Sequence, residues 1–280
     1  MTTAGATTAL GAVRKPLPSG RYDLAGLLRS EWTKLRTVRS TMWTLGITIV
    51  VGIGISALAT GETRAHWATM SLPTRLSFDP TRVSLIPLFF CQLAIGVLGV
   101  LVMSAEFGTG TVRATFAAAP RRPQVLLAKV GVFGLVALVV SEVTAFLSFF
   151  VGQAMLTSPA RHATLATPGA LRAVAGTGLY LCVIGLFGLG LATIVRHTTG
   201  AISAYVGVLL VVPLIVEALP SSLQDDVRRF LPSNIGVVMM TPATSTSPHL
   251  FSAWPGFLVL CGYTLAALVV GGVLLVRRDV

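Results

Sequence analysis

Six long apolar blocks restrict the fold of this sequence more than any other feature. A helix needs about 20 apolar residues to cross the hydrocarbon core of a bilayer, and residues 42–60, 83–105, 125–153, 173–195, 200–218 and 254–276 form blocks close to that length. Backbone polar groups have no partner in lipid, so each block must be helical. Charged residues make up only 11% of the chain. The sequence therefore predicts an all-α integral membrane protein whose residues 42–280 form six transmembrane helices.

The distribution of positive charge predicts how these helices are oriented. An even number of spans puts both termini on one side, where 14 Lys and Arg lie, against 7 on the other side. Basic residues are enriched in cytoplasmic loops, so we expect cytoplasmic N- and C-termini. The net charge of +11 comes without basic tracts interleaved with aromatics, which argues against a nucleic-acid partner. Arginine greatly outnumbers lysine, as is typical of GC-rich bacteria, and we expect a bacterial plasma membrane.

The N-terminal segment divides into two parts. Residues 1–20, rich in Thr, Ala, Gly and Pro, predict a flexible cytoplasmic tail. Residues 21–41 carry apolar side chains at helical spacing and predict an amphipathic helix in the membrane interface. Its candidate contacts with a partner or the membrane are Glu31, Trp32, Lys34 and Arg36. Glu31 falls within the apolar arc, where it can pair with Lys34 one turn on or meet a protein partner.

Motifs of enzymatic chemistry are missing from the sequence. None of the three lysines is followed by Ser or Thr, as a phosphate-binding loop of the Walker type requires. The four histidines lie outside the apolar blocks, and no aspartate lies inside one. We therefore expect no catalytic residues, no metal site and no cofactor in this chain.

Glu142 is an ionisable residue in the middle of the third block. A carboxyl at that depth is costly and points to a function. One interpretation is a polar contact between helices, with Gln92 of the second block as the suggested partner. A translocation path and a proton relay are the alternatives.

A polar segment, EFGTGTVRATFAAAPRRPQVLLAK (Glu106–Lys129), separates the second and third blocks. Glycines permit a turn there, threonines can cap a short helix, and prolines can end it. The candidate partner-binding residues are Glu106, Gly108, Thr109, Arg113, Arg121 and Arg122. Two alternatives remain open: Glu106 and Arg113 can pair with each other, and Arg121 and Arg122 can contact only anionic lipid.

This segment resembles the cytoplasmic loop of ABC type 2 transporter permeases, and SEWTKLRTVRSTMW (Ser30–Trp43) resembles the entry to their first span. The resemblance implies a permease subunit of an exporter, with a separate ATPase subunit that binds ATP and Mg. It also implies a second permease copy or paralogue, a coupling helix after Glu106, and short re-entrant helices within 219–253. It does not indicate the substrate. The alternatives are a sensor or immunity protein that binds an ATPase without transport, and a secondary carrier that uses Glu142.

Overall fold

The computed structural model describes residues 24–110, 122–158, 160–242 and 250–277. Within these ranges every regular element is helical, and six helices are long and apolar enough to cross a membrane. The predicted all-α, six-span class is confirmed at this level, and it indicates a multi-pass membrane protein. We name the six helices span one to span six: Arg39–Ala65, Pro80–Gly108, Arg122–Met155, Ala170–Val195, Thr198–Glu217 and Ala253–Arg277.

All six spans begin one to three residues before the predicted blocks, and four of them end one to five residues after them; span four ends at the predicted residue, and span five ends one residue short of it. Span three, for example, covers Arg122–Met155 where the apolar pattern predicted 125–153. The reason is that hydropathy marks only the part that suits lipid, whereas polar residues extend a helix when its end groups find partners. At the start of span two, the Asp79 carboxylate accepts hydrogen bonds from the backbone N–H groups of Thr81 (2.9 Å) and Arg82 (3.1 Å), which is an N-cap.

Span four lies at the centre of the bundle, where it packs against spans two, three and six. Glycines bring its backbone into contact with span two. A Cβ added at Gly99 would lie 2.2 Å from the carbonyl oxygen of Gly185, and one added at Gly188 would lie 2.4 Å from that of Gly96. Small residues permit such close approach of helices in membranes. These contacts fix the position of span two relative to the centre.

Short helices complete the two ends of the bundle. The N-terminal helix α1 (Leu24–Thr37) precedes span one, and the extended backbone of Val38 separates them. Between spans five and six lie α2 (Ser221–Arg228) and α3 (Pro232–Met239), in the region where the motif resemblance implied short re-entrant helices. Side chains of α3 are buried against span four. We call the end that carries α1, Glu106 and Arg122 the loop end.

Candidate functional site

Four charged side chains from three separate helices meet at the loop end and form what we call the ionic cluster. Its members are Glu31 and Lys34 of α1, Glu106 near the end of span two, and Lys129 near the start of span three. Lys129 Nζ lies 2.6 Å from Glu31 Oε2 and 2.9 Å from Glu106 Oε1. Lys34 Nζ lies 2.6 Å from Glu31 Oε1 and 2.9 Å from the same Glu106 oxygen. Each ammonium thus bridges both carboxylates.

The cluster is largely withdrawn from solvent. The side chains of Lys129 and Glu31 are only 3% and 5% exposed, and that of Glu106 is 12% exposed. Two positive and two negative charges balance, as burial of charge requires. A buried ion pair is stable only when its geometry is good, and removal of one partner leaves an uncompensated buried charge. The three helices are therefore held in one relative position.

The local sequence explains how each side chain reaches the cluster. Glu31 and Leu35 are one helical turn apart and form the buried face of α1, which packs against span three. Lys34 follows Glu31 by three residues, so both reach the same side. The predicted pairing of Glu31 with Lys34 is confirmed. Glu31 also pairs with Lys129 of span three in the same chain, and the alternative of a separate protein partner for Glu31 stays a prediction.

Lys34 is the more exposed of the two lysines. Its partial burial acts to lower the pKa of the ammonium, but hydrogen bonds and charge from Glu31 and Glu106 outweigh it. The net result is a pKa above the usual value for lysine. Lys34 therefore stays positively charged at neutral pH, and the cluster keeps its charge balance.

The other predicted residues of the loop and of α1 have different surroundings. Trp32 and Arg36 lie on the exposed side of α1. Gly108 and Thr109 are exposed at the end of span two, where the Thr109 hydroxyl donates to the carbonyl oxygen of Ala105 (2.8 Å). The next residue, Gly110, has a φ of 69°, a left-handed conformation that glycine adopts without strain. Arg113 and Arg121 lie outside the described residues, so the suggested Glu106–Arg113 pair stays a prediction.

Two arginines connect the loop end to span six. Arg122 Nη1 donates to the carbonyl oxygen of Leu275 (2.9 Å), and Arg196 Nη2 donates to that of Leu274 (2.7 Å). Arg196 also lies over the ring of Phe107, 5.6 Å from its centroid. Cationic groups satisfy the free carbonyls at the C-terminal end of a helix. Spans two, three, four and six are thereby linked at this end.

Lys129 and Arg196 were not among the predicted site residues. Each resembles the ordinary basic residue that follows or precedes a span on the cytoplasmic side. For Lys129 one signal was available in the sequence, because it lies inside the predicted apolar block 125–153, four residues after its start. Nothing in the sequence indicated that Arg196 would contact span six.

The suggested contact between Glu142 and Gln92 does not form in the described structure. The amide oxygen of Gln92 accepts a hydrogen bond from the Tyr180 hydroxyl (2.5 Å), and its backbone oxygen accepts one from the Tyr205 hydroxyl (2.7 Å). Glu142 faces Gly178 of span four instead, where an added Cβ would lie 2.4 Å from the carboxyl carbon. Gln92 thus joins spans two, four and five, and Glu142 belongs to a different site.

These contacts connect the helices at the loop end to one another. The ionic cluster joins α1 to both helices that flank residues 111–121, and the arginine contacts extend the connection to span six. Among the described residues, no group of three or more His, Cys, Asp or Glu side chains is placed to hold a metal ion. Comparison with known proteins adds no assignment, since no family model matches the chain and no curated protein is significantly similar to it.

Proposed function

We propose that the protein is the membrane-spanning permease subunit of an ATP-binding-cassette exporter, driven by a separate ATPase subunit that binds ATP and Mg. The observation that carries this proposal is the ionic cluster, which connects α1 with the two spans on either side of the polar segment after Glu106. The motif resemblance assigns that segment to ATPase docking. The proposal further includes a bacterial plasma membrane, cytoplasmic termini and a second permease copy or paralogue.

The cluster supports this function because it can transmit force. Glu106 lies in the last turn of span two, and Lys129 lies in the second turn of span three. A push on the segment between them moves both spans together, since packed helices shift as bodies. The bonds of both lysines to Glu31 carry α1 along. The loop end can therefore convert closure of a docked ATPase into a tilt of spans two and three.

The charge of the exposed surface also supports a docking role. Arg29, Arg36 and Arg39 are exposed on and just after α1. Guanidinium groups bind carboxylates with two parallel hydrogen bonds, so these side chains suit an acidic protein surface. The two glutamates of the cluster are turned inward and do not offset this positive surface.

Coupling to an ATPase is the first test. Co-expression with an ATPase encoded by a neighbouring gene should give a stable complex whose ATPase rate differs from that of the ATPase subunit alone. In Glu106→Gln the hydrogen bonds to both lysines weaken, and we expect the stimulation to fall by about tenfold, within the usual range of coupling energies. Complex formation and ATP hydrolysis are measured on the same purified samples.

The matched control is Glu62→Gln, since Glu62 is a glutamate on span one whose side chain is 72% exposed and pairs only with His66 among the described residues. Its ATPase stimulation should be unchanged. Stimulation that is equal in Glu106→Gln and the unmodified chain would contradict the proposal. Complex formation without ATP-dependent movement of amphiphilic dyes in vesicles would favour a sensor or immunity protein, and dye movement without any ATPase would favour a secondary carrier.

Orientation is tested by chemical labelling. Thr109→Cys places a thiol at an exposed position of the loop end, whereas Leu72→Cys places one at an exposed position between spans one and two. The native cysteines are buried or half-buried, so background labelling of these cysteines should be small. A membrane-impermeant thiol reagent should label Leu72→Cys in intact cells and Thr109→Cys only in inside-out vesicles. The reverse pattern would overturn the cytoplasmic assignment and docking with it.

A further inference from the structure

We propose that Glu142 forms a binding subsite for lipophilic organic cations, within the membrane, in a seam between spans three and four. This inference deepens the proposed transport function by naming the class of substrate. The role of the subsite in transport rests on the proposed function, but binding to the subsite is tested on this chain alone, without an ATPase.

Glu142 lies at the middle of its helix. It is 13 residues from the buried Lys129 at the loop end and 13 residues from Met155, where span three ends. At 1.5 Å per residue this is about 20 Å in each direction. The hydrocarbon core of a bilayer is about 30 Å thick. The carboxyl group therefore lies deep in the membrane, beyond the reach of the charged loop end.

A row of half-buried residues forms the span-three side of the seam. Its members recur every four residues and lie on one helical face: Gly134, Leu138, Glu142 and Phe146. Span four forms the other side, where Cys182 Sγ donates to the carbonyl oxygen of Gly134 (3.4 Å). Gly178 leaves room for the carboxyl group, because a Cβ there would lie 2.4 Å from its carbon and 2.6 Å from each oxygen. The seam is thus apolar along its length, with one acidic group at its centre.

The charge of this group is not compensated by the described part of the chain. No ion pair there involves Glu142, and its buried Oε2 has no hydrogen-bond partner. Gln92, the suggested partner, is bonded to Tyr180. An isolated carboxylate at this depth is costly, and charged groups within membranes pair with an opposite charge. A positive ligand can supply that charge.

The composition of the seam selects the kind of cation. A hard metal ion takes six or more oxygen ligands, and the described residues offer no cluster of that kind. An organic cation needs one counter-charge and an apolar surface for the rest of the molecule. Leu138 and Phe146 provide that surface on either side of Glu142. Since Glu142 is only partly buried, such a ligand can reach it from the lipid side.

The test measures binding to the purified full chain in phosphatidylcholine nanodiscs, with no ATPase present. The probe is tetraphenylphosphonium, and the matched probe is tetraphenylborate, which has nearly the same size and shape but a negative charge. We expect saturable binding of the phosphonium alone. Glu142→Gln should weaken it by about thirtyfold or more, as loss of a buried charge partner does. Glu142→Asp should retain part of the affinity, and Glu62→Gln should retain all of it.

Equal affinity of the unmodified chain for the two probes would overturn the proposal, and this comparison needs no variant. Phosphonium binding that is unchanged in a folded Glu142→Gln protein would overturn it as well, and would leave Glu142 a neutral packing group. The two proposals fail separately. Glu142-dependent binding without any response of an ATPase supports the subsite and contradicts the proposed function, whereas ATPase coupling with Glu142-independent binding does the opposite.

Discussion

Replacement of Lys129 by methionine is expected to destabilise the protein by about 3–5 kcal/mol, the usual cost when one partner of a buried ion pair is removed. Methionine has a similar volume and keeps the apolar contacts of the side chain. What it removes is the ammonium that lies 2.6 Å from Glu31 Oε2 and 2.9 Å from Glu106 Oε1. Since the Glu31 side chain is 5% exposed, water cannot replace the lost hydrogen bonds.

The free energy of unfolding is measured by titration with SDS in mixed micelles, followed by circular dichroism. A double-mutant cycle with Glu31→Gln isolates the pair. Because the neutral amide no longer needs a cation, the double variant should be more stable than the sum of the single losses predicts, by about 1–3 kcal/mol. Glu62→Gln, at an exposed site, should change stability by no more than about 0.5 kcal/mol. Losses that simply add would show that Lys129 and Glu31 do not interact as described.

The six spans were predictable because lipid imposes a length and a helical backbone on each apolar block. The ends of the spans were less predictable, because they depend on local hydrogen-bond partners for the end groups of each helix. The Asp79 carboxylate at the start of span two is one example. The hydropathy of the apolar blocks also does not predict which helix is central. Span four is the most buried of the six, but its sequence is about as apolar as its neighbours.

The ionic cluster was predictable only in part. Glu31 in an apolar arc indicated a polar partner, and the spacing to Lys34 identified one. The second partner, Lys129, is 98 residues away, and a pairing over that distance depends on how α1 packs against span three. Glu106 was selected through its motif, with Arg113 of the loop as a suggested partner that stays a prediction; its contacts with two lysines of other helices were not predicted.

The suggested contact between Glu142 and Gln92 failed for a similar reason. Both residues lie within spans, but the rotation of each helix about its axis decides which residues face each other. In this bundle those rotations follow from glycines that let two backbones touch, such as Gly99 against Gly185. A single sequence contains many glycines and does not show which of them are used. Gln92 consequently faces Tyr180, and Glu142 faces Gly178.

These glycine contacts lead to the other large expected effect. Gly99→Ala would place a methyl group 2.2 Å from the carbonyl oxygen of Gly185 and 3.2 Å from the backbone nitrogen of Leu189. Both neighbours are backbone atoms of the central helix, so no side-chain rotation relieves the clash. Overpacking usually costs about 1–3 kcal/mol and sometimes more, and we expect about 3 kcal/mol or more here, because spans two and four must separate. SDS titration measures the loss directly.

Gly54→Ala is the matched control, because nothing lies within 4 Å of a Cβ added at this helical position of span one. Alanine is a better helix former than glycine by about 1 kcal/mol, so this variant should be as stable as the unmodified chain or slightly more stable. The same glycine-to-alanine substitution is thus expected to lower the stability of the protein in span two and to leave it unchanged or raise it slightly in span one. If Gly99→Ala also proved neutral, spans two and four would not touch through their backbones at Gly99. One of the two backbone contacts that position span two against the central helix would then be absent, and the path by which a push at the loop end reaches span four would be weaker.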